Sequence, residues 1–529
     1  MKAEMSAAPK RAARRSIAIM VLWTGEALAQ AVGGHLQGAL PPAISGIAID
    51  SRSLQAGEAF FALTGERLDG HAYVAAAAKA GAALAVVEAA KLGDLPPLPI
   101  PLLAVDNSLK ALEKMAKAAR ARLRPGARVA AITGSVGKTT IKEMLAQALA
   151  PFGRLHYSPA SFNNHFGVPL SLARMPADTD FAIYEIGMNH AGEITPLSRL
   201  ARPHLALISR IAAAHRGHFN SLDDIAAAKA EIFAGLEPNG AALLNRDDEY
   251  YEFLAQKARS AGHFFVCSFG RSEEADYRLV SETETAQGRH CRLKWRDKRE
   301  VDFTLRAHGA HNALNGCAAL AAVSELAIRP KSYAMAKEPR WDAEPEAAAL
   351  YKKRIDFLWQ QAVAALAQFQ AGAGRGARYR LALPHKNAAE GEFLLIDESY
   401  NANPLSMAAA IKVLGETQPA GSGRRIAVLG DMLELGAETQ SAHEALAEKL
   451  AEARVDSVFL AGEAMRFLQQ ALQQRHKAIA VHWRQTAAEL VAPLEQALQA
   501  GDCVMVKSSN SIGTAKLAAA LLAACCPVR

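Results

Sequence analysis

A chain of 529 residues is too long for one core, and at roughly 100–200 residues per domain it should divide into about three. Half of its residues are hydrophobic and 21% are charged, the balance of a globular protein, and no run is long enough for an uninterrupted membrane span. The net charge of +7 is partly concentrated in Lys10, Arg11, Arg14 and Arg15, with no stripe of interleaved basic and aromatic residues, so it favours small anionic ligands over nucleic acid.

In chain order, residues 1–19 read as a disordered basic tail leading into a first strand. Arg14 and Arg15 before the apolar run 16–23 imitate a secretory signal. Gly25 and Glu26 interrupt it before a small-residue site, so the expected location is the cytoplasm, with Met20 as an alternative start. The six cysteines show no metal spacing and read as reduced, packed thiols. Between 20 and 105, short apolar runs alternate with turn residues around an alanine-rich helix, which predicts a small α/β unit.

A helix over 109–123 then leads to a buried strand over 128–133, a glycine loop and a helix over 140–149. Further strands over 181–186, 205–208 and 241–244 make 106–373 a doubly wound, mostly parallel sheet domain. Residues 331–360 are charged and lack a clean period, so they read as an insertion at the domain edge. From 374 to 529, strands over 392–397, 425–430, 457–461 and 503–506 alternate with helices in a third, Rossmann-like α/β domain. The fold class is therefore α/β, in three domains.

The strongest chemical signal is Gly134-Ser135-Val136-Gly137-Lys138-Thr139-Thr140, between a predicted strand and a helix. Glycines let backbone N–H groups close around phosphate oxygens, and a helix N-terminus adds positive potential. Lys138 can reach the terminal phosphates, and the Thr139 hydroxyl can ligate Mg²⁺. Ile132 stands where the first glycine of the longer phosphate-loop pattern would be, which leaves the shorter GxxGKT form. Glu185 ends an apolar strand, and a carboxylate there faces the crevice where ligands bind in parallel sheets, a natural second oxygen ligand. His215 and Lys229 have ordinary readings as well: lone histidines are usually structural, and a lysine on an apolar helix usually snorkels to solvent.

Taken together these residues resemble the Mur ligase family. In its order stand Asp50-Ser51-Arg52, Leu68-Asp69-Gly70-His71, the loop at 134–139, Asn163-Asn164-His165, Glu185, His215 and Lys229-Ala230-Glu231. Asn245, His311-Asn312 and Asn315 follow, then Asp397-Glu398-Ser399-Tyr400-Asn401-Ala402-Asn403-Pro404 and the run 428–436 around Gly430-Asp431-Met432. The last two runs are particular to the branch that joins D-alanyl-D-alanine to UDP-N-acetylmuramoyl-tripeptide. The resemblance implies ATP, two Mg²⁺ ions held by Thr139, Glu185, His215 and Lys229, and a Lys229 carbamylated by CO₂. It places Asn245, Asn312, Asn315, Arg375 and Asp397 with Gly134 to Thr140 at the nucleotide. Ser51, Arg52 and Asp69 would hold the uridine substrate in the first domain. Asn163 and Asn164 would face its phosphates or reacting carboxylate, and Tyr400, Asn401 and Asn403 the dipeptide. Ser209-Arg210 and Lys507-Ser508-Ser509 depart from the family pattern, and 331–360 has no counterpart in it.

The expectation is a monomer that activates the tripeptide carboxylate as an acyl phosphate, without nucleic-acid or membrane partners. Two rivals remain: a related amide ligase such as folylpolyglutamate synthase, and a phosphate-loop module whose ATP drives a switch and makes no bond.

Overall fold

The computed structural model describes residues 21–65, 68–159, 161–212, 219, 221–262, 265–285, 287–295, 299–328, 345–384 and 391–525. Among them the strands form three sheets, one for each of three α/β domains. The chain divides into two compact units: the described residues up to Arg122 with Leu172–Ala177, and the remainder.

The first unit is built on β1 (His35–Gln37), β2 (Ile47–Ala48), β3 (Ala59–Phe61), β4 (Leu84–Glu88) and β5 (Leu102–Val105), in the order β1-β5-β4-β3-β2. All neighbours are parallel except β1, which runs against β5. The unbroken apolar runs of β3 and β4 are buried, as strands covered on both faces require. Helix α1 (Ser108–Ala121) belongs to this unit and is capped by Asn107, whose side chain accepts from the Lys110 amide at 2.8 Å. The first strand expected near the tail reduces, among the described residues, to a single bridge from Trp23 to Ile44. Thr24 then caps a helix, Gly25–Val32. Gly25 and Glu26, read as an interruption, are its first turn, where an acidic residue suits the helix dipole.

The second unit holds two sheets. The larger has nine strands: β6 (Arg128–Thr133), β7 (Leu155–Tyr157), β8 (Phe181–Glu185), β9 (Leu205–Ile208), β10 (Ala241–Asn245), β11 (Phe265–Gly270), β12 (Tyr277–Thr285), β13 (Gly288–Trp295) and β14 (Glu300–Leu305). Their order is β14-β13-β12-β11-β10-β9-β6-β8-β7, parallel from β12 to β7 and antiparallel across β12, β13 and β14. With β8 on one side of β6 and β9 on the other, the chain order reverses at β6, which opens a crevice beyond its carboxyl end. Around this sheet lie α2 (Lys138–Leu149), α3 (Leu222–Ala230), α4 (Ala310–Val323) and α5 (Pro345–Leu366).

The stretch 331–360, expected to be an insertion, is described only from Pro345, where helix α5 begins. Residues 329–344 lie outside the described residues, but from Pro345 the segment is helical. Ile355, Trp359, Ala362, Val363 and Leu366 are buried in the core of the nine-stranded sheet. Trp359 meets Trp295 edge-on, with ring centroids 4.6 Å apart. The spacing 355, 359, 362, 366 is a helical stripe that the flanking charges obscured.

The smaller sheet runs β15 (Ala377–Ala382), β16 (Glu392–Asp397), β20 (Cys503–Lys507), β17 (Arg425–Gly430), β18 (Ser457–Ala461) and β19 (Ala480–Arg484), parallel except at β15. Strand alternation divides its core. Ala427, Leu429 and Met505 face one apolar layer, which includes residues of α6 (Pro404–Glu416) and α7 (Met465–Arg475), while Ile426, Val428, Val504 and Val506 face the other.

Asp502 pins the edge of this core: its fully buried carboxylate accepts from Arg424 Nη2 at 2.7 Å and from the amides of Arg424 and Gln499 at 2.8 and 2.9 Å. Asp502→Ala would leave two amides without partners and take the carboxylate from Arg424, whose Nη2 keeps only the Ala497 carbonyl at 2.6 Å. The expected loss is about 3 kcal/mol of stability in urea unfolding. The described cysteines are all buried and in the thiol form, and among the described residues no helix is long and apolar enough to cross a membrane.

Candidate active site

The phosphate loop sits at the carboxyl end of β6, where the sheet order reverses. Gly134 has φ +142°, and a Cβ there would collide with Ser209 Oγ. Gly137 is left-handed at φ +82°, and its Cβ would stand 2.8 Å from Asn315 Oδ1, so both positions need glycine. The loop is tied to the strand beside it. The Ser135 amide donates to Arg210 O at 2.7 Å, Ser135 Oγ donates to Ala212 O at 2.9 Å, and Ser209 Oγ donates to Val136 O at 2.5 Å. Ser209 and Arg210, the departures noted above, thus brace the loop through one hydroxyl and one carbonyl. Lys138 Nζ donates to Gly134 O at 2.7 Å, and burial lowers its pKa, opposed by the nearby Glu185 charge. Thr140 follows on the first turn of α2.

Behind the loop the structure gathers a polar cluster. Glu185, 1% exposed at the end of β8, accepts from Thr139 Oγ1 at 2.6 Å and from Asn163 Nδ2 at 2.9 Å. Thr139 Oγ1 also lies 3.2 Å from Ser161 Oγ, which accepts from Arg375 Nη2 at 3.0 Å. A hydroxyl and a carboxylate at a phosphate-binding helix end are hard oxygen donors, and they fit Mg²⁺ with phosphate oxygens completing its shell. Among the described residues no group of three or more His, Cys, Asp or Glu side chains forms a metal cluster. His215 lies outside the described residues.

Lys229 is near the end of α3 and 2% exposed. Burial, and then the like charge of Lys138, hold its pKa well below the ordinary lysine value. It does not snorkel. Its neighbour Glu231 instead caps the helix Ile194–Ala201, accepting from the amides of Gly192 and Thr195 at 2.6 and 3.0 Å.

A cavity of about 290 Å³ opens beside the loop, lined by Val136, Ser209, Asn245, Phe269, Asn315 and, from α6, Val413, among others. Asn245 is anchored through Nδ2 to Ser209 O at 3.1 Å. Asn312 is not in the lining; it turns to His308 O at 2.7 Å. Lys412 and Glu416 of α6 and Arg271 after β11 also face the cavity. Nothing in their sequence context marks them, because a helix flank and a strand end meet there only in the fold.

Arg375 stacks over the Tyr400 ring with its guanidinium carbon 3.8 Å from the centroid. Asp397 is turned to the backbone of the neighbouring loop. Its buried carboxylate accepts from the Gly374 amide at 2.7 Å and from Ser399 Oγ at 2.5 Å, holding the loop that carries Arg375. Three candidate asparagines have their side-chain carbonyls occupied locally. Asn403 caps α6 through the Ser406 amide at 2.9 Å, Asn164 accepts from the Gly167 amide at 2.9 Å, and Asn401 accepts from the Ala402 amide at 2.9 Å. Their amide N–H₂ groups are what remain for a ligand. Lys507, 3% exposed, donates to Asn401 O at 2.9 Å, and Ser509 Oγ accepts from the Leu433 amide at 3.0 Å. The departing Lys507-Ser508-Ser509 turn therefore knits the loops after β16, β17 and β20.

In the first unit, Arg52 forms a fork onto Asp50, with Nη2 to Oδ2 at 2.6 Å, and is largely exposed; Ser51 is half-buried beside it. Asp69 accepts from the His71 amide at 3.0 Å and from Lys91 Nζ at 2.5 Å, which hold its carboxyl well below the usual carboxylate range. The Glu88 amide donates to His71 Nε2 at 2.9 Å, which leaves Nδ1 as the nitrogen that donates to Asp69.

Family models match three stretches: a Mur ligase family catalytic domain over 43–120, the Mur ligase middle domain over 132–323 and the Mur ligase glutamate ligase domain over 385–510. A UDP-N-acetylmuramoyl-tripeptide--D-alanyl-D-alanine ligase of Bacillus subtilis is 32% identical over 470 residues, covering 89% of this chain and 91% of the relative. The chain belongs to the Mur ligase family. A protein of the same name from Escherichia coli is 34% identical over 445 residues, covering 84% of this chain and 87% of its own length. The solved structure of MurF from Acinetobacter baumannii superposes with a TM-score of 0.74 at 29% identity, over 94% of this chain and 98% of that one. Such breadth places the likeness in all three domains, beyond the phosphate loop alone.

Proposed function

We propose that this chain is an ATP-dependent ligase that adds D-alanyl-D-alanine to UDP-N-acetylmuramoyl-tripeptide through an acyl phosphate. The observation that carries the reading is the buried Glu185, held by Thr139 and Asn163 at the phosphate loop. The names of relatives that match nearly the whole chain supply the substrates. In this reading 20–105 holds the nucleotide sugar through Ser51, Arg52 and Asp69, 106–373 holds ATP, and 374–529 brings the amine. The reading takes the protein as a monomer, and an ATP-consuming reaction belongs in the cytoplasm.

Attack of the tripeptide carboxylate on the γ-phosphorus brings two anions together. Lys138 and the N-terminal amides of α2 take up that charge. Mg²⁺, held by Thr139 and Glu185, with a second ion at His215 and Lys229, would supply further neutralisation of the phosphates. The phosphorus–oxygen bond to ADP breaks as the acyl phosphate forms. The dipeptide amine then attacks the acyl carbon, and phosphate leaves from the tetrahedral intermediate. Tyr400, Asn401 and Asn403 would orient the amine, and Arg375 links Tyr400 to Ser161 beside Thr139.

The buried Lys229 amine, whose pKa burial and then Lys138 hold well below the ordinary lysine value, supports carbamylation. A neutral amine adds CO₂ with loss of a proton, and the carbamate formed would be attracted by Lys138 where the ammonium is repelled. ADP release should require all three substrates together; steady ATP hydrolysis insensitive to D-alanyl-D-alanine would overturn the assignment and favour the switch reading. Faster ligation of L-glutamate to a folate than of the dipeptide to the nucleotide would favour the folylpolyglutamate rival.

A further inference from the structure

One buried cation joins the nine-stranded sheet to the helix that walls the cavity. Arg289 lies on β13, paired across the register from Glu284 on β12, and is 5% exposed. Its guanidinium nevertheless serves three carboxylates. Nε donates to Glu284 at 2.8 Å, Nη1 to Glu282 at 2.8 Å, and Nη2 to Glu416, in the last turn of α6, at 2.8 Å. Glu282 also accepts from Arg271 Nη2 at 2.5 Å. Arg271 and Glu416 both line the cavity, so two of its charged walls depend on the same cluster.

We propose that Arg289 is a positioning residue for nucleotide use: it holds the cavity-facing side of α6 against the central sheet by clamping Glu416 to Glu282 and Glu284. The proposal rests on the reading of that cavity as the site of ATP. A planar guanidinium spreads five donors around a fork and so reaches carboxylates on separate elements; a lysine ammonium has three donors, all on one compact atom. Without the guanidinium, Glu282 and Glu284 on β12 face Glu416, all three partly buried, with Arg271, His308 and Lys412 as their remaining basic neighbours, and the like charges repel. The last turn of α6, which carries Glu416 and lies one turn from Lys412 and Val413, would then be pushed from the cavity. The candidate residues for the nucleotide sugar, Ser51, Arg52 and Asp69, are in the other unit and take no part in this cluster.

The test is a steady-state comparison of Arg289→Gln with wild type, each substrate varied in turn. The expected result is a KM for ATP raised about tenfold or more, with the KM for the nucleotide sugar unchanged. Adding Glu416→Gln to Arg289→Gln should bring the ATP KM back down, because it removes one of the repelling carboxylates. A merely structural role gives the opposite pattern: a lower Tm, all parameters worsened together and no recovery in the double variant. Arg289→Lys, which keeps the charge and loses the fork, should be intermediate, and it carries the test if Arg289→Gln does not fold. An ATP KM within about twofold of wild type in both variants overturns the proposal. Binding of a non-hydrolysable ATP analogue to Asn315→Leu separates the two levels. If that variant binds as wild type does, the cavity is not the nucleotide site and both readings fall. If it binds weakly while Arg289→Gln binds normally, only the positioning role falls.

Discussion

Lys229→Met is expected to lose turnover and gain stability at the same time. The amine is 2% exposed, and its charged form is opposed first by burial and then by Lys138. Its folded pKa therefore lies well below the value near 10.4 of an unfolded lysine. Between those two values the unfolded chain binds one more proton than the folded one, so this lysine costs stability at low pH. Stability rises with pH across the window and levels off above the unfolded value. Methionine has similar length and no charge to bury, so the variant should be more stable than wild type at pH 7, by roughly 1–3 kcal/mol. The difference should shrink towards pH 10. Urea unfolding at the two pH values, in Mg²⁺-free and CO₂-free buffer, measures it; an equal difference at both would remove the lowered Lys229 pKa from the account. If the residue works as a carbamate, kcat should fall on the order of 10³-fold, as for loss of one preorganised charge-stabilising group. With ¹³C-labelled CO₂, wild type should give a carbamate signal that Lys229→Met lacks, and a fully active variant would end that role.

Glu185→Gln is the second large effect. The amide is isosteric, and its carbonyl can still accept from Thr139 or Asn163, so the fold should stand. The negative charge is lost, and with it the proposed second protein ligand for Mg²⁺ beside Thr139. A drop in kcat on the order of 10³-fold is expected, with a higher Mg²⁺ requirement and a nucleotide affinity that falls far less. A Mg²⁺ titration of activity on the two proteins decides it. An unchanged Mg²⁺ midpoint would assign Glu185 to bracing Asn163 and Thr139 alone.

The phosphate loop was legible because its chemistry is local. Gly134 and Gly137 are demanded by backbone geometry within one turn, and Lys138 and Thr139 follow in the same turn, so spacing carries the message. The buried strands were legible for a similar reason: runs such as 128–133 and 503–506 are apolar without interruption. The strands β12 to β14 were not, because their pairing is antiparallel and half-exposed, and residues such as Glu282, Glu284 and Arg289 resemble a solvated surface. Helix α5 was hidden by the charges around Lys352, although Ile355, Trp359, Ala362 and Leu366 keep the helical interval.

Sequence order alone carried the presence of a phosphate loop, the α/β class and the carboxylate at the end of β8, because each is set by neighbours a few residues away. Which groups meet was decided by the tertiary structure. Ser161 joins Thr139 to Arg375 across more than two hundred residues, Asp397 holds the loop of Arg375 instead of turning to the cavity, and Arg289 meets Glu416. Such contacts follow from the reversal of strand order at β6 and from the approach of α6 to the nine-stranded sheet. Neither is encoded in any short stretch of the chain, since both arise only when distant apolar faces are buried together.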